Sequence, residues 1–576
     1  MKKNYYSHII VVITYFLLFD LPVIAQEIID LNPSYTMKDS SKKLIISNII
    51  PEIEQPSENT YFQYSQELFR LVQPISKLQF GVPYQLNLNH EIYTLYFSEL
   101  PLFNALSYQT INTNSDDLVP GKVEISDAEG FKYSSFIGIK VRGKTSRSYP
   151  KKSYQIRLWT DSASYETKDE SFFKMRDDDK WLLLAMWNEQ TRLNNVFCHD
   201  LWLRMHQLYY ADLEPKANST IRLKYVELFL NDSYQGVYAF TEGMDRKQLK
   251  LKKNKDGIKR GELYKGISWG KGLVVFNMKN VPPYDNNSLF WDGFEMKYPS
   301  DLPTDWSLFN DFAYFVSNST NDDFDIEIFD RFHKMNAIDY YIFLNFINAA
   351  DNTGKNTFIA KYKEGGPYFY IPWDLDGTIG YNWKGEQDPG DIHNIKWNHL
   401  YERIMNRNVD NFNIDMAERW NQLKKSILNP ITMKTRIDSI ANFLINTGAY
   451  EREEIAWSDY KFNIEEIDYI KNWMDERIDF LDKYFNQWSI SSKLSINQYD
   501  KVRVHYRNGY FSLNPNDLSD DITYKLFNIS GQQLLSGILS ANSNKISASG
   551  IPNGIYIFHF FEDNQNQIGT SKVIKY

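Results

Sequence analysis

Asp351 and Asn356 stand five residues apart, and Asp374 closes an apolar run that begins at Tyr368. Two strand-like runs, 357–362 and 368–373, flank the loop Lys363-Glu364-Gly365-Gly366-Pro367. Such runs around a short Gly-containing loop predict a β-hairpin with Asn356 opposite Asp374 at its open end. Phosphoryl transfer needs a cation on the phosphate oxygens and a carboxylate to orient the attacking hydroxyl. Magnesium (Mg2+) takes oxygen ligands, usually only one or two of them protein carboxylates. Asp351, Asn356, Asp374 and the nearby Asp376 supply that set. The Asp-to-Asn step equals the catalytic-loop spacing of protein kinases, and a carboxylate after the hairpin matches their second metal ligand. The same residues also suit a plainer reading, with Asp351 and Asn352 as a helix C-terminal turn and Asp374 as a turn former.

A second candidate lies upstream. Arg142 opens the loop GKTSRSYPKK, rich in hydroxyls and positive charge, whose cations could hold ATP phosphates or simply face solvent. Glu227 and Glu242 sit inside strand-like runs, where a carboxylate either pairs with a phosphate-binding lysine or faces water. Asp177-Asp178-Asp179 lacks the alternation of a calcium loop and is expected to be an exposed acidic turn. The nine His show no paired-ligand spacing, so zinc is not supported. Neither a GxSxG elbow nor a GxxxxGK[ST] loop is present.

The elements that must position these residues follow from periodicity. Residues 136–141 and 153–159 predict strands on either side of the basic loop, and 225–230 with 237–241 predict a hairpin. Leu193, Val196, Phe197, Leu201, Met205 and Leu208 follow helical spacing. A helix over 337–350 would deliver Asp351 at its C-terminal end, and further helices are expected at 437–445 and 465–485. Residues 26–96 suggest a short leader region, polar at first and strand-like from Tyr84. Residues 486–499 suggest a linker, and 500–576 a small all-β sandwich. The expected class is α+β.

At 576 residues the chain exceeds one ordinary domain. The net charge of −9 argues against non-specific nucleic-acid binding. The many aromatics (40 Tyr, 37 Phe, 14 Trp) show no repeating spacing, which favours core and surface packing over glycan stacking. Lys2, Lys3, the apolar run 9–19 and Val23-Ile24-Ala25 form a signal peptide, with cleavage expected after Ala25; Asp20 leaves an uncleaved anchor as the alternative. No later stretch is apolar enough to span a membrane. Cys198 is the only cysteine, so no intrachain disulfide can form, and its place in a predicted helix suggests a buried thiol.

Five blocks occur in an order that resembles the CotH kinase family: VRGKTSRSYPKKSYQIRL, WLLLAMWNEQTRLNN, YVELFLNDSYQGVYAFTEGMD, AADNTGKNTF and IPWDLDGTIG. The resemblance covers roughly residues 97–485. It implies an atypical protein-kinase-like fold, ATP and Mg2+ as cofactors, and phosphorylation of Ser or Thr on surface or secreted proteins. By position, Asp351 resembles the catalytic aspartate, Asp374 a metal ligand with Asn356 assisting, and Lys152 the cation on the phosphates. Glu189 and Asn194 depart from the family's Asp and Arg, with Arg192 placed to compensate. The segments YKLFNISGQQLLSG, IPNGIYIFHF and KVIKY are similar to the type A sorting domain of the type IX secretion system. That likeness implies the type IX machinery as a partner, a Bacteroidetes-type source and a secreted or cell-surface protein. The competing expectation is a non-catalytic kinase-like scaffold or adhesion protein, because ATP is scarce outside the cytoplasm. A glycan-processing enzyme is a third, but no carboxylate pair argues for it.

Overall fold

Short apolar runs punctuated by Gly, Asn and Asp turns make the first half of the chain predominantly β. The computed structural model describes residues 26–268, 281–495, 504–507, 509–513, 521–540, 543–562 and 566–575. The expected signal peptide, 1–25, lies outside them. The chain divides into two units: residues up to 401 with 426–477, and 402–425 with 478–576.

Residues 26–96 are more than a leader. They build a seven-stranded sheet in the order Glu27–Asp30, Thr60–Tyr64, Glu67–Leu71, Pro83–Leu88, Glu91–Phe97, Leu44–Ser47, Thr36–Asp39. Phe62, Phe69, Leu86 and Leu95 lie in its own core. A second cluster joins Met37, Ile46 and Tyr96 of this sheet to Phe229 and Tyr234 of the next layer.

That layer is a closed barrel. Its strands run Lys132–Arg142, Ser153–Trp159, Lys180–Leu184, Ser233–Glu242, Leu223–Leu230, Leu102–Ser107, Val119–Ser126 and back to the first. Alternate side chains point inward, as closure requires. They include Ile137, Ile139, Val141, Ile156 and Leu158, with Trp181 stacked on Phe240 at 4.8 Å between ring centroids. The hairpin Leu223–Leu230/Ser233–Glu242 turns at Asn231 and Asp232, both in the left-handed region that such turns demand.

The predicted hairpin is present as Thr357–Lys361 and Tyr368–Pro372, at the edge of a five-stranded sheet. Glu262–Gly266 pairs with its first strand. Helix Lys334–Phe346 leads toward Asp351 and is buried from Asn336 to Phe346, so it carries no polar stripe. It ends four residues before the expected Ala350. Asn348 takes a φ of 57° there, and Asp351 instead opens a separate 3-10 turn, Asp351–Thr353. Helix Asn194–Met205 forms as predicted and buries Cys198.

The last long helix, Glu465–Ser495, runs into the expected linker; residues 496–499 lie outside the described residues. The C-terminal region is all-β, with a three-stranded and a four-stranded sheet sharing one core that includes Phe511, Leu526, Phe558 and Phe560.

Candidate active site

The hairpin mouth is shaped by two residues in left-handed backbone, Asn356 at φ 54° and Asp374 at φ 58°. Asn and Asp tolerate this conformation better than other side-chain-bearing residues. The register differs by one from expectation. Thr357 pairs with Pro372, and the Trp373 N–H donates to the Asn356 carbonyl at 3.1 Å, so Asn356 faces Trp373 and not Asp374. The loop closes between Lys361 and Tyr368, one residue longer than the Gly-Gly-Pro run suggests. Asp374 is therefore the first residue past the mouth, exposed toward the cavity.

The 3-10 turn is fastened to that mouth. Asn352 Nδ2 donates to the carbonyls of Asn356 (2.6 Å) and Trp373 (2.8 Å), and the Tyr340 hydroxyl donates to the Asn352 carbonyl at 2.8 Å. Lys355 Nζ lies 3.1 Å from Asp351 Oδ2, and Asn356 Nδ2 reaches the same oxygen at 3.4 Å. Gly266 makes room for the turn. The Asn356 N–H donates to its carbonyl at 3.1 Å, and a Cβ there would meet the Gly354 carbonyl oxygen at 2.4 Å.

Three asparagines from 181–195 clasp the segment after Asp374. Asn188 Nδ2 donates to Asp376 Oδ2 at 2.7 Å. Asn194 Nδ2 donates to the carbonyls of Asp376 (2.9 Å) and Thr378 (3.0 Å). Asn195 Oδ1 accepts from the Leu375 N–H at 2.9 Å, while its Nδ2 donates to Glu189 Oε1 at 2.6 Å. Burial pushes the Glu189 carboxyl up to about 7. Burial, then the charge of Asp374, drives Asp376 well above the carboxylate range.

Asp351, Asn356, Asp374, Asp376 and Arg142 line one cavity of about 890 Å³. Its opposite wall comes from the barrel, at Arg142 and residues 143–149, and from Lys265 on strand Glu262–Gly266. Two expected members are elsewhere. Lys152 Nζ donates to the carbonyls of Arg147 (2.9 Å) and Tyr149, so it staples the basic loop and is absent from the cavity wall. Glu227 is fully buried between barrel and helix, bound by Arg452 Nε at 2.9 Å, Ser98 Oγ at 3.0 Å and the Tyr234 hydroxyl. It answers an arginine far along the chain and is absent from the cavity wall. Lys151, beside Lys152, does line the cavity. Its Nζ is fully buried and held by Glu453 at 2.6 Å, and burial lowers it to about 8 against the pull of that carboxylate. Arg192 also binds Glu453, at 3.0 Å, and donates to the Met186 carbonyl at 2.7 Å.

Residues 139–481, more than half of the sequence, match the family described as CotH kinase protein. The chain belongs to this family. Residues 507–576 match a secretion system C-terminal sorting domain, the tail of type IX export, so this CotH kinase-family chain carries its own secretion address. No curated protein matches the chain. No helix among the described residues is long and apolar enough to cross a membrane.

Within the CotH domain, the residues missed from sequence are Lys265, Asn188 and Asn195. Lys265 sits in a five-residue strand with no motif around it. The asparagines lie in the WNEQTRLNN block, whose polar residues next to an apolar strand were the available signal. The acidic turn also differs from expectation. Asp178 and Asp179 are buried, and with Asp169 their ligand atoms lie within 4.8 Å of one another. Arg176, Arg157 and Lys247 already neutralise them.

Proposed function

We propose that this chain is an exported atypical protein kinase, kinase-like in fold over residues 97–485, that moves the γ-phosphoryl group of ATP to a Ser or Thr hydroxyl of a surface or secreted protein. The observation that carries the reading is the meeting of Asp351, Asn356, Asp374 and Arg142 on one cavity. Asp351 orients the acceptor hydroxyl and takes its proton as the new O–P bond forms and the bond to the ADP leaving group breaks. Lys355 holds that carboxylate in place.

Asn356, Asp374 and Asp376 would hold Mg2+, and the donor set fits a hard cation, being oxygen only. With Nδ2 turned to Asp351, Asn356 Oδ1 takes no hydrogen bond among the described residues. Asp351, Asp374 and Asp376 do not draw within 4.8 Å of one another as a closed shell. The ion, when bound, supplies positive charge against the transferring phosphate. The asparagine clasp keeps residues 375–378, including Asp376, in position to hold the ion.

A non-catalytic scaffold would leave Glu189 and Asn194, the two departures from the family pattern, without a task at the site. Both have definite work in the clasp, which fits a maintained site better than a decaying one. The sorting tail supports delivery by the type IX machinery from a Bacteroidetes-type cell. The test is incubation with labelled ATP, Mg2+ and candidate surface proteins. Wild type transfers label and Asp351→Ala does not; equal labelling by the two refutes the assignment.

A further inference from the structure

Most cations on the cavity wall already have a carboxylate. Lys140 and Arg147 share Asp116, Lys151 has Glu453, Lys297 has Glu295 and Lys355 has Asp351. Lys144 stands exposed on its loop. Arg142 and Lys265 are different. Neither side chain makes a hydrogen bond or ion pair with any described residue, yet both are half-buried. Their nearest company is aromatic. Lys265 Nζ lies 5.6 Å from the Trp373 ring centroid and 5.8 Å from that of Phe358; the Arg142 guanidinium lies 5.8 Å from that of Trp373. An indole face attracts cations but does not replace the hydrogen bonds their N–H groups give up on leaving water. Burial lowers the Lys265 amine to about 8; Asp374 opposes that shift and Arg142 reinforces it. Two like charges thus converge on one ring, beside a carboxylate, without a counter-ion within bonding distance. This arrangement is complete only with an anion that brings several acceptor oxygens.

We propose that Arg142 and Lys265, set against Trp373 beside Asp374, grip the phosphate oxygens of the donor, the role that sequence position gives to Lys152. The proposal rests on the phosphotransfer reading for the donor's identity but not for the anion site itself. Trp373 is the platform: it directly follows the hairpin strand Tyr368–Pro372, whose partner strand pairs with the strand that carries Lys265, and it directly precedes the metal-side Asp374. One indole therefore fixes the spacing between the cations that hold phosphate and the carboxylate that faces the ion. Lys265 projects from a strand paired at Phe358, so its backbone has little freedom to wander.

The test is calorimetric binding of inorganic tripolyphosphate, in EDTA, to the full chain and to Lys265→Met, Arg142→Met and Lys363→Met. Wild type binds; Lys265→Met and Arg142→Met each weaken binding by about tenfold or more, the scale of one lost charge-assisted contact. Lys363→Met, at an exposed lysine of the hairpin loop that is absent from the cavity wall, leaves affinity unchanged. Unfolding midpoints give an independent readout: Lys265→Met melts at the same or a higher temperature, because an unpaired half-buried charge has been removed. No binding by wild type, unchanged affinity in Lys265→Met, or a lower midpoint overturns the proposal. A parallel arm uses ATP with Mg2+. Binding that needs Asp374 but ignores Lys265 overturns the clamp and leaves the kinase reading. Tripolyphosphate binding that needs Lys265, without any transfer of label from ATP, leaves the clamp and overturns the kinase reading.

Discussion

Glu453 holds two buried cations at once, and replacing it by Gln tests how much the cavity wall depends on that single charge. Its Oε1 lies 2.6 Å from Lys151 Nζ and 3.0 Å from Arg192 Nη2, and its Oε2 accepts from the Val237 N–H at 2.7 Å. Breaking a buried ion pair by removing one partner costs about 3–5 kcal/mol. Glutamine keeps the volume and one acceptor, which offsets part of the loss, so the range for one broken pair covers both contacts. We expect a loss of about 3–5 kcal/mol, a fall of about 6–10 °C in the unfolding midpoint at roughly 2 °C per kcal/mol. The pH dependence makes the test specific. Lys151 is lowered to about 8 from its ordinary 10.5, so the folded chain releases that proton before the unfolded chain does. Stability from this group therefore rises as pH climbs from about 8 toward 10.5. Without Glu453 to oppose burial, the amine drops further and is neutral in the folded variant at lower pH. The deficit of Glu453→Gln is thus largest near pH 7 and smaller near pH 9–10, where Lys151 is neutral in both proteins; Arg192 keeps it from vanishing. Differential scanning calorimetry at a series of pH values reads this directly. An unchanged midpoint at pH 7, or a deficit equal at all pH values, would refute the reasoning.

Two further outcomes follow from neighbouring residues. Gly266→Ala places a Cβ 2.4 Å from the Gly354 carbonyl oxygen, a backbone atom that cannot rotate aside. It should cost about 1–3 kcal/mol by overpacking and weaken Mg2+-ATP binding through the displaced Asp351 turn, whereas Gly390→Ala, which meets nothing within 4 Å, should do neither. Calorimetric titration and thermal unfolding of the two variants decide it. Glu189 is raised to about 7 from 4.5, so its folded form keeps a proton that the unfolded form gives up. The stability it contributes is full below pH 4.5 and is lost as pH rises through about 7. Glu189→Gln removes that slope, and its midpoint should gain on wild type between pH 5 and 8 by an amount on the order of 2–3 kcal/mol. Parallel melting curves that keep a constant separation would count against it.

The hairpin and its polar ends were legible because strand alternation, a Gly-Gly-Pro loop and Asn/Asp termini are local signals. Its register was not, since loop length fixes register and nothing in Tyr362 or Pro367 says where pairing stops. The Asp351 turn was half legible: the apolar run before it was clear, but not that Asn348 would end the helix early. The phosphate-side cation was hidden for a different reason. Lys151, Lys152 and Lys265 look alike in sequence, and only their partners separate them: Glu453 is hundreds of residues from Lys151, and Lys265 has no hydrogen-bond or ion-pair partner among the described residues. Glu227 misled in the same way, because a carboxylate in an apolar strand is explained only by the distant Arg452. The barrel closes through a parallel pairing of Glu227 with Leu102, and the open N-terminal sheet contains two more parallel pairs. Contacts of that kind leave no mark in a local window.

The closed barrel has a bearing on how the family segment can be inherited and cut. The match to the CotH family begins at residue 139, inside strand Lys132–Arg142. Two barrel strands, Leu102–Ser107 and Val119–Ser126, lie wholly before that point. A chain begun at residue 139 would be a ring with a gap, exposing two unpaired strand edges and the side chains of the barrel interior to water. The segment that relatives share and the segment that can fold alone are therefore different objects. The matched segment of this chain therefore depends on residues 102–126 to complete its barrel.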